Sequence, residues 1–121
     1  MAQVLIADDE ANLRKVLTAL LKQDGHEATA VEDGIKALEV LERGEVDILI
    51  TDLRMPGMTG LELLKKVRQR DPTLPVIVIT AHGSVDTAVS ALKAGAADYI
   101  TKPFDKDELK QAVRKASALR E

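Results

Sequence analysis

The interpretation of the whole chain begins with one stretch, Val46-Asp47-Ile48-Leu49-Ile50-Thr51-Asp52. Its aliphatic and β-branched residues favour a strand that is buried on both faces, and a carboxylate follows directly. Three other short apolar runs also end on polar side chains. They are Val4-Leu5-Ile6-Ala7 before Asp8 and Asp9, Val76-Ile77-Val78-Ile79 before Thr80, and Tyr99-Ile100-Thr101 before Lys102. Ligands of parallel sheets bind beyond the carboxyl ends of the strands, so this pattern predicts a site there.

The rest of the chain alternates short apolar runs with longer stretches of helical periodicity. We predict strands at 3–7, 27–31, 46–51, 75–80 and 97–101, and helices at 10–23, 33–43, 59–70, 84–94 and 105–119. Residues that typically end helices follow four of these helices: Gly25, Gly44, Pro72 and Gly95. Two pairs have the spacing of an N-terminal capping box, Thr59 with Glu62 and Asp105 with Glu108.

Strict alternation of strands and helices predicts an α/β fold with one doubly wound, five-stranded parallel sheet between two helical layers. We expect the strand order 2-1-3-4-5, because it collects the polar side chains at the strand ends into one pocket. The 121 residues are enough for a single domain, which we assign to 1–121.

The composition excludes several classes of function. No cysteine is present, which removes disulfides and thiolate metal sites. A net charge of −3 and only 2% aromatic residues argue against direct nucleic-acid binding. No apolar run approaches the roughly 20 residues of a membrane span, and Asp8 and Asp9 interrupt the first run before it could act as a signal peptide. We therefore expect a cytoplasmic protein that does not enter a membrane.

The predicted pocket combines three carboxylates with one lysine. Asp8, Asp9 and Asp52 cannot all stay ionised side by side without a cation. An oxygen-seeking ion such as Mg²⁺ meets that need, and Lys102 is then free to bind a phosphoryl group or a carboxylate. The turn after Asp52 contains Gly57 and Gly60, which we expect to adopt unusual backbone angles.

Four motifs in the same order and spacing resemble the receiver (CheY-like) domain of bacterial two-component response regulators. They are Asp8-Asp9-Glu10, Thr51-Asp52-Leu53-Arg54-Met55-Pro56-Gly57, Thr80-Ala81-His82 and Asp98-Tyr99-Ile100-Thr101-Lys102-Pro103-Phe104. The resemblance covers essentially the whole chain and implies the flavodoxin/CheY-like fold. Within the family, Thr80-Ala81-His82-Gly83-Ser84 and Lys102-Pro103-Phe104-Asp105 are most similar to receivers of the NtrC class.

The resemblance implies that Asp52 is the phosphoacceptor, which takes a phosphoryl group from a phosphohistidine on a sensor histidine kinase. Asp9 would ligate Mg²⁺ directly, and Asp8 would ligate the ion or hold its waters. The backbone carbonyl of Arg54 would be the remaining protein ligand. Carboxylate nucleophiles and cations on the phosphoryl oxygens agree with the chemistry of phosphoryl transfer. The domain is then a phosphorylated regulator and not an enzyme with turnover.

The resemblance also assigns contacts to the phosphoryl group. Lys102 would pair first with Asp52 and then with the phosphoryl oxygens, from a cis Lys102–Pro103 peptide. Thr80 would hydrogen-bond the phosphoryl group through its hydroxyl, beside the backbone N–H of Ala81. Tyr99 matches the family's switch aromatic, which turns inward as Thr80 moves.

The fourth predicted helix is the element expected to respond. Its large apolar anchors are few, namely Val85, Val89 and Leu92 among alanines, so we expect it to shift at low cost. Together with the fifth strand and fifth helix it would form the output face, where phosphorylation would promote dimerisation.

The NtrC-like features imply an output domain of the AAA+ ATPase type that activates sigma-54 RNA polymerase, in a longer parent chain. The alternative is a stand-alone receiver that acts by protein–protein contact. A phosphatase of the haloacid-dehalogenase type is a more distant alternative, since such enzymes place a second aspartate where this chain has Arg54. A flavodoxin-like cofactor module would need a phosphate loop where this chain has Asp8-Asp9-Glu10.

Overall fold

The computed structural model describes residues 2–119, and within them five parallel strands form one sheet with five helices. The strands are β1 (Gln3–Ala7), β2 (Glu27–Val31), β3 (Ile48–Thr51), β4 (Val76–Thr80) and β5 (Asp98–Thr101). The helices are α1 (Ala11–Gln23), α2 (Gly34–Arg43), α3 (Gly60–Arg70), α4 (Val85–Lys93) and α5 (Lys106–Leu119). The strand order is β2-β1-β3-β4-β5, which confirms the predicted fold class and topology.

Alternate residues of each strand enter two separate hydrophobic layers, as the two-residue period of a strand requires. Ile6 and Ile50 point into the layer that contains α1 and α5, where Leu17 and Val113 are buried. Neighbouring strand residues such as Leu49 and Val78 enter the opposite layer, which α2, α3 and α4 cover. The central strands β1, β3 and β4 are therefore buried on both faces, and the carboxyl edge of the sheet remains open for a site.

Strand β3 begins at Ile48, two residues later than predicted, because Asp47 ends the pairing with β1. The Gln3 N–H donates to Oδ2 of Asp47 (2.8 Å), and the Asp47 N–H donates to the Gln3 carbonyl (2.8 Å). Helices α3 and α4 begin one residue after their predicted starts because Thr59 and Ser84 are extended N-cap residues.

The two expected capping boxes have different outcomes. Thr59 and Glu62 form a box with both hydrogen bonds at 3.1 Å, as predicted. At α5 the box expected with Glu108 is wrong, because the Asp105 side chain accepts from the N–H of Asp107, one residue earlier (2.9 Å). The short Asp side chain turns back to the second N–H, as in an Asx turn.

Helix α4 packs against the sheet through small residues, so the expectation that Val85, Val89 and Leu92 anchor it is wrong. Val85, Val89 and Leu92 are 80%, 44% and 51% exposed, whereas Ala91 is fully buried. The helix turns its alanine stripe toward the sheet, because the small side chains allow close approach. Its attachment by buried apolar area is weaker than the sequence indicated.

Within residues 2–119, no helix has the length and apolar character needed to cross a bilayer.

Candidate functional site

The carboxyl edge of the sheet brings together all the polar side chains predicted to meet there. Register places Ala7 opposite Thr51, so the residues after β1 and β3 emerge side by side, and it places Thr80 opposite Thr101 at the ends of β4 and β5. Carboxylate oxygens of Asp8, Asp9 and Asp52 lie within 4.8 Å of one another. Such a cluster of oxygen donors suits a hard divalent cation.

Lys102 balances part of this negative charge. Its Nζ donates to Oδ2 of Asp52 at 3.0 Å and to Oδ2 of Asp8 at 3.1 Å. Both aspartates are almost fully buried, at 4% and 2% exposure, whereas Asp9 is exposed. The Lys102–Pro103 peptide bond is cis. The buried part of the site therefore holds two carboxylates and one ammonium group.

The environment shifts the pKa values of the two buried carboxyls in opposite directions. Burial opposes ionisation of Asp52, but hydrogen bonds from Lys102 and Thr80, the Lys102 charge and the Leu53 N–H outweigh it, and its pKa is lowered. Burial dominates at Asp8 and raises its pKa, although the Glu10 N–H and Lys102 oppose the shift. Ionisation is therefore more favourable at Asp52 than at Asp8.

Lys102 responds to the same partners. Burial lowers the pKa of its ammonium group, but the hydrogen bonds and charges of Asp52 and Asp8 outweigh burial, so the pKa is raised. The lysine is therefore a fixed cation at neutral pH.

Backbone N–H groups of the loop after β3 hold the Asp52 carboxylate in place. Oδ1 accepts from the N–H of Leu53 at 2.6 Å, and the Arg54 N–H lies 3.4 Å away. Arg54 occupies the predicted position in this loop, and the role of its carbonyl stays a prediction. The Gly60 N–H closes the loop by donating to the Leu53 carbonyl at 2.8 Å.

The two glycines of this loop have different roles, which corrects the expectation of two unusual backbone angles. Gly57 has φ +81°, in the left-handed region, as expected. Gly60 does not have a positive φ, and the constraint there is space. A Cβ at position 60 would overlap the carbonyl oxygen of Asp52, so only glycine lets α3 begin against the backbone of that aspartate.

Thr80 and Tyr99 occupy separate positions along the edge. Thr80 is fully buried, and its Oγ1 accepts from the N–H of His82 at 3.0 Å. Ala81 and His82 line an open cavity of about 530 Å³ together with Asp52 and Lys102. The half-buried Tyr99 lies beyond this cavity, and its hydroxyl is 3.1 Å from Oγ1 of Thr87.

Sequence reasoning missed two polar contacts around the site. Arg14 of α1 donates to the backbone carbonyl of Asp8 at 2.7 Å and so fixes the acidic loop. Because the acceptor is a backbone carbonyl, which every residue has, the residue types in the sequence do not reveal this contact. Thr87 was missed because threonine replaces the usual Glu or Gln in its capping box with Ser84.

These side chains sit in a chain that matches a known family almost throughout. The family described as response regulator receiver domain matches residues 4–114. The chain belongs to this family.

Curated relatives of this receiver domain include the DNA-binding transcriptional regulator NtrC of Escherichia coli (strain K12). It is 48% identical over 113 residues, which cover 93% of the receiver domain and 24% of NtrC. The response regulator protein FleR of Pseudomonas aeruginosa is 47% identical over 104 residues, 86% of this chain and 22% of FleR. The receiver domain thus spans about a quarter of the length of these relatives, and it is of the NtrC type.

A solved structure shows the same likeness in three dimensions. The response regulator protein TrrA from Thermotoga maritima, in complex with Mg²⁺ and BeF, matches with a TM-score of 0.88 and 35% identity. The match covers 96% of the receiver domain and 99% of TrrA.

Proposed function

We propose that this receiver domain accepts a phosphoryl group on Asp52 from the phosphohistidine of a sensor histidine kinase. The observation that carries the proposal is the pairing of a buried, ionised Asp52 with Lys102 at 3.0 Å, beside two further carboxylates. A nucleophile with a lowered pKa, a fixed cation and a cation-binding cluster are the components that phosphoryl transfer needs.

In the transfer step an Asp52 carboxylate oxygen attacks phosphorus in line with the P–N bond of the phosphohistidine. The new P–O bond forms as the P–N bond breaks, and the electron pair of that bond goes to the imidazole nitrogen, which takes up a proton. Lys102 moves its hydrogen bonds from the Asp52 carboxylate to the phosphoryl oxygens. Each Asp52 accepts one group, so the domain is a regulated phosphoprotein without turnover.

The residues at the sheet edge fit Mg²⁺. The donor set is carboxylate oxygen alone, on Asp8, Asp9 and Asp52, and Mg²⁺ prefers such ligands over nitrogen or sulfur. Asp9 and Asp8 would hold the ion with the carbonyl of Arg54. When bound, Mg²⁺ neutralises charge on the transferring phosphoryl group. The Mg²⁺ and BeF in the TrrA complex support this assignment.

Thr80 transmits the effect of phosphorylation at Asp52 to the rest of the domain. Its Oγ1 accepts from the His82 N–H and its hydroxyl donates to the Asp52 carboxylate, so that donation can pass to a phosphoryl group on Asp52, beside the N–H of Ala81. Movement there reaches α4 and Tyr99, and the α4, β5 and α5 face responds. The exposed Val85, Val89 and Leu92 offer this face apolar area for phosphorylation-dependent dimerisation.

The output proposed for the parent chain is transcription control in the cytoplasm through a sigma-54 type AAA+ ATPase. The name of NtrC, a DNA-binding transcriptional regulator, supports control of transcription, and the receiver is about a quarter of NtrC and of FleR, which leaves room for an output domain in each. A stand-alone receiver that acts by protein–protein contact is the alternative.

The test is intact-mass analysis after incubation with acetyl phosphate and Mg²⁺. We expect one phosphoryl adduct on the wild type and on Asp107→Asn, which alters an exposed aspartate of α5. Asp52→Asn and the Mg²⁺-free sample should show none. An adduct on Asp52→Asn equal to that of the wild type would refute the assignment of the phosphoacceptor.

A further inference from the structure

The hydroxyl of Thr87 lies at the junction between the start of α4 and strand β5. Its Oγ1 accepts from the Ser84 N–H at 2.7 Å and donates to the Ser84 carbonyl at 3.0 Å. The same oxygen is 3.1 Å from the hydroxyl of Tyr99. One side chain therefore belongs both to the cap of α4 and to the surroundings of the proposed switch tyrosine.

The direction of the bond to Tyr99 follows from the number of donors. A hydroxyl has one hydrogen and two lone pairs. When the Thr87 hydrogen goes to the Ser84 carbonyl, both lone pairs are left to accept, one from the Ser84 N–H and one from Tyr99. In that arrangement Tyr99 is the donor, and Ser84 Oγ, 3.2 Å from the same oxygen, is a further neighbour of the Thr87 hydroxyl. We call this arrangement the Ser84–Thr87–Tyr99 latch.

Gly83 makes room for the latch. A Cβ at position 83 would overlap the hydroxyl oxygen of Tyr99 and contact its ring carbons at 3.2 Å. Gly83 has no positive φ, so its constraint is the space that the tyrosine occupies. The tyrosine ring thus lies directly against the loop that joins Thr80 to α4.

The opposite end of α4 is held in a different way. Arg68 of α3 donates to the Gly95 carbonyl at 2.9 Å and to the Asp71 carbonyl at 3.1 Å. Both acceptors are backbone atoms, and neither depends on Tyr99 or Thr80. Arg68 therefore ties the turn after α4 to α3, independently of the latch.

We propose that Thr87 is the positioning residue that couples Tyr99 to the first turn of α4. While Tyr99 donates to Thr87, that turn is held against β5. When the tyrosine leaves, the first turn loosens and the last turn stays fixed by Arg68, so α4 responds at one end. The coupling holds without a phosphoryl group, and only its trigger rests on the function proposed above.

The first test uses amide hydrogen exchange by NMR on the unphosphorylated protein. Tyr99→Phe removes the hydroxyl donor and keeps the ring. We expect exchange at Ala88, whose N–H donates to Ser84, to become about fivefold faster. Exchange at Ala94, whose N–H donates to Ser90, should not change. An unchanged rate at Ala88, or an equal rise at Ala94, would overturn the proposal.

The second test separates coupling from a merely structural role for Thr87. In a Thr87→Val background, Tyr99→Phe should cause no further change at Ala88, because its partner is already gone. In a Thr87→Ser background, which restores the hydroxyl, the effect of Tyr99→Phe should return. Gly83→Ala, which displaces the tyrosine, should accelerate Ala88 in the same way. Additive effects of Thr87→Val and Tyr99→Phe would contradict the latch.

The trigger is tested with Mg²⁺ and beryllium fluoride as the phosphoryl mimic. We expect the wild type to show faster exchange at Ala88 and no change at Ala94, and Tyr99→Phe to show no further increase at Ala88. A wild type that does not bind the mimic would refute the proposed function, while the metal-free experiments still decide the latch. A wild type that binds it without any change at Ala88 would refute the latch as part of the switch.

Discussion

The ammonium group of Lys102 and the carboxylate of Asp52 are 3.0 Å apart at the carboxyl edge of the sheet, although 50 residues separate them in the chain. Asp8 shares the same lysine, so the buried site has one more negative than positive charge. Because of this excess negative charge, a bound cation should stabilise the site, and the stability of the protein should depend on pH.

Replacing Lys102 with Met should destabilise the metal-free protein by about 3 kcal/mol at pH 7, because two buried carboxylates lose their partner. The loss of unfolding free energy that Lys102→Met causes should be smaller at pH 5. Without Lys102, burial dominates at Asp52 as it already does at Asp8, and raised pKa values let both carboxyls take up protons there. Urea denaturation at the two pH values measures the difference.

The matched control is Lys106→Met, which alters an exposed lysine of α5 and should change stability little at either pH. Equal losses for Lys102→Met at pH 5 and pH 7 would show that the variant is destabilised by packing alone.

The wild-type protein without metal should lose stability at both ends of the pH range. The pKa of Lys102 is raised above 10.5, so its contribution is complete below that pH and is lost as pH rises through the folded value. The pKa of Asp52 is lowered below 3.8, so its contribution is present above that pH and is lost as pH falls through the folded value. In Lys102→Met the alkaline loss should be weaker, as thermal unfolding between pH 10 and 12 would reveal.

Mg²⁺ should raise the melting temperature, and the two neighbouring aspartates should respond differently when neutralised. Asp8→Asn removes a buried charge whose pKa is raised, so it should stabilise the metal-free protein and raise its melting temperature. Asp9→Asn alters an exposed group and should be nearly neutral without metal. Both variants should lose most of the rise that Mg²⁺ gives the wild type, which is about 1.4 kcal/mol at ten times the dissociation constant.

Differential scanning calorimetry with a Mg²⁺ series provides this measurement, and Asp107→Asn is the control that should behave as the wild type. If Mg²⁺ stabilised Asp9→Asn as much as it stabilises the wild type, Asp9 would not be a ligand of the ion.

Gly60→Ala should destabilise the protein by about 2 kcal/mol or more, because the added carbon overlaps the carbonyl oxygen of Asp52 and the backbone there must move. Gly44→Ala is the control, since position 44 is extended and its Cβ would meet only the Val40 carbonyl, at 3.3 Å. The amide resonances of Leu53 and Arg54 should shift in Gly60→Ala alone. An unshifted loop in a stable Gly60→Ala protein would contradict the close approach.

Much of the fold and the composition of the site could be predicted because local sequence signals agree with tertiary structure. The apolar run before Asp52 and the cap at Thr59 specify a strand and a helix start without knowledge of the rest of the chain. The order 2-1-3-4-5 followed from gathering the polar strand ends into one pocket, and the structure confirms it.

The remaining features depend on distances that residue types do not encode. Val85, Val89 and Leu92 lie on one stripe of α4 and had the pattern of core residues, but the neighbouring alanine stripe is the one that faces the sheet. A helix rich in alanine has two acceptable faces, and packing against the sheet selects between them. The space requirement at Gly60 depends in the same way on a tertiary contact.

The most direct test of the central claim is to locate the phosphoryl group in the sequence. The protein is incubated with acetyl phosphate and Mg²⁺, the acyl phosphate is reduced with borohydride to homoserine, and the peptides are sequenced by mass spectrometry. We predict homoserine at position 52 alone, and none when Mg²⁺ is omitted. Homoserine at position 8 or 9 with Asp52 unmodified would contradict the account.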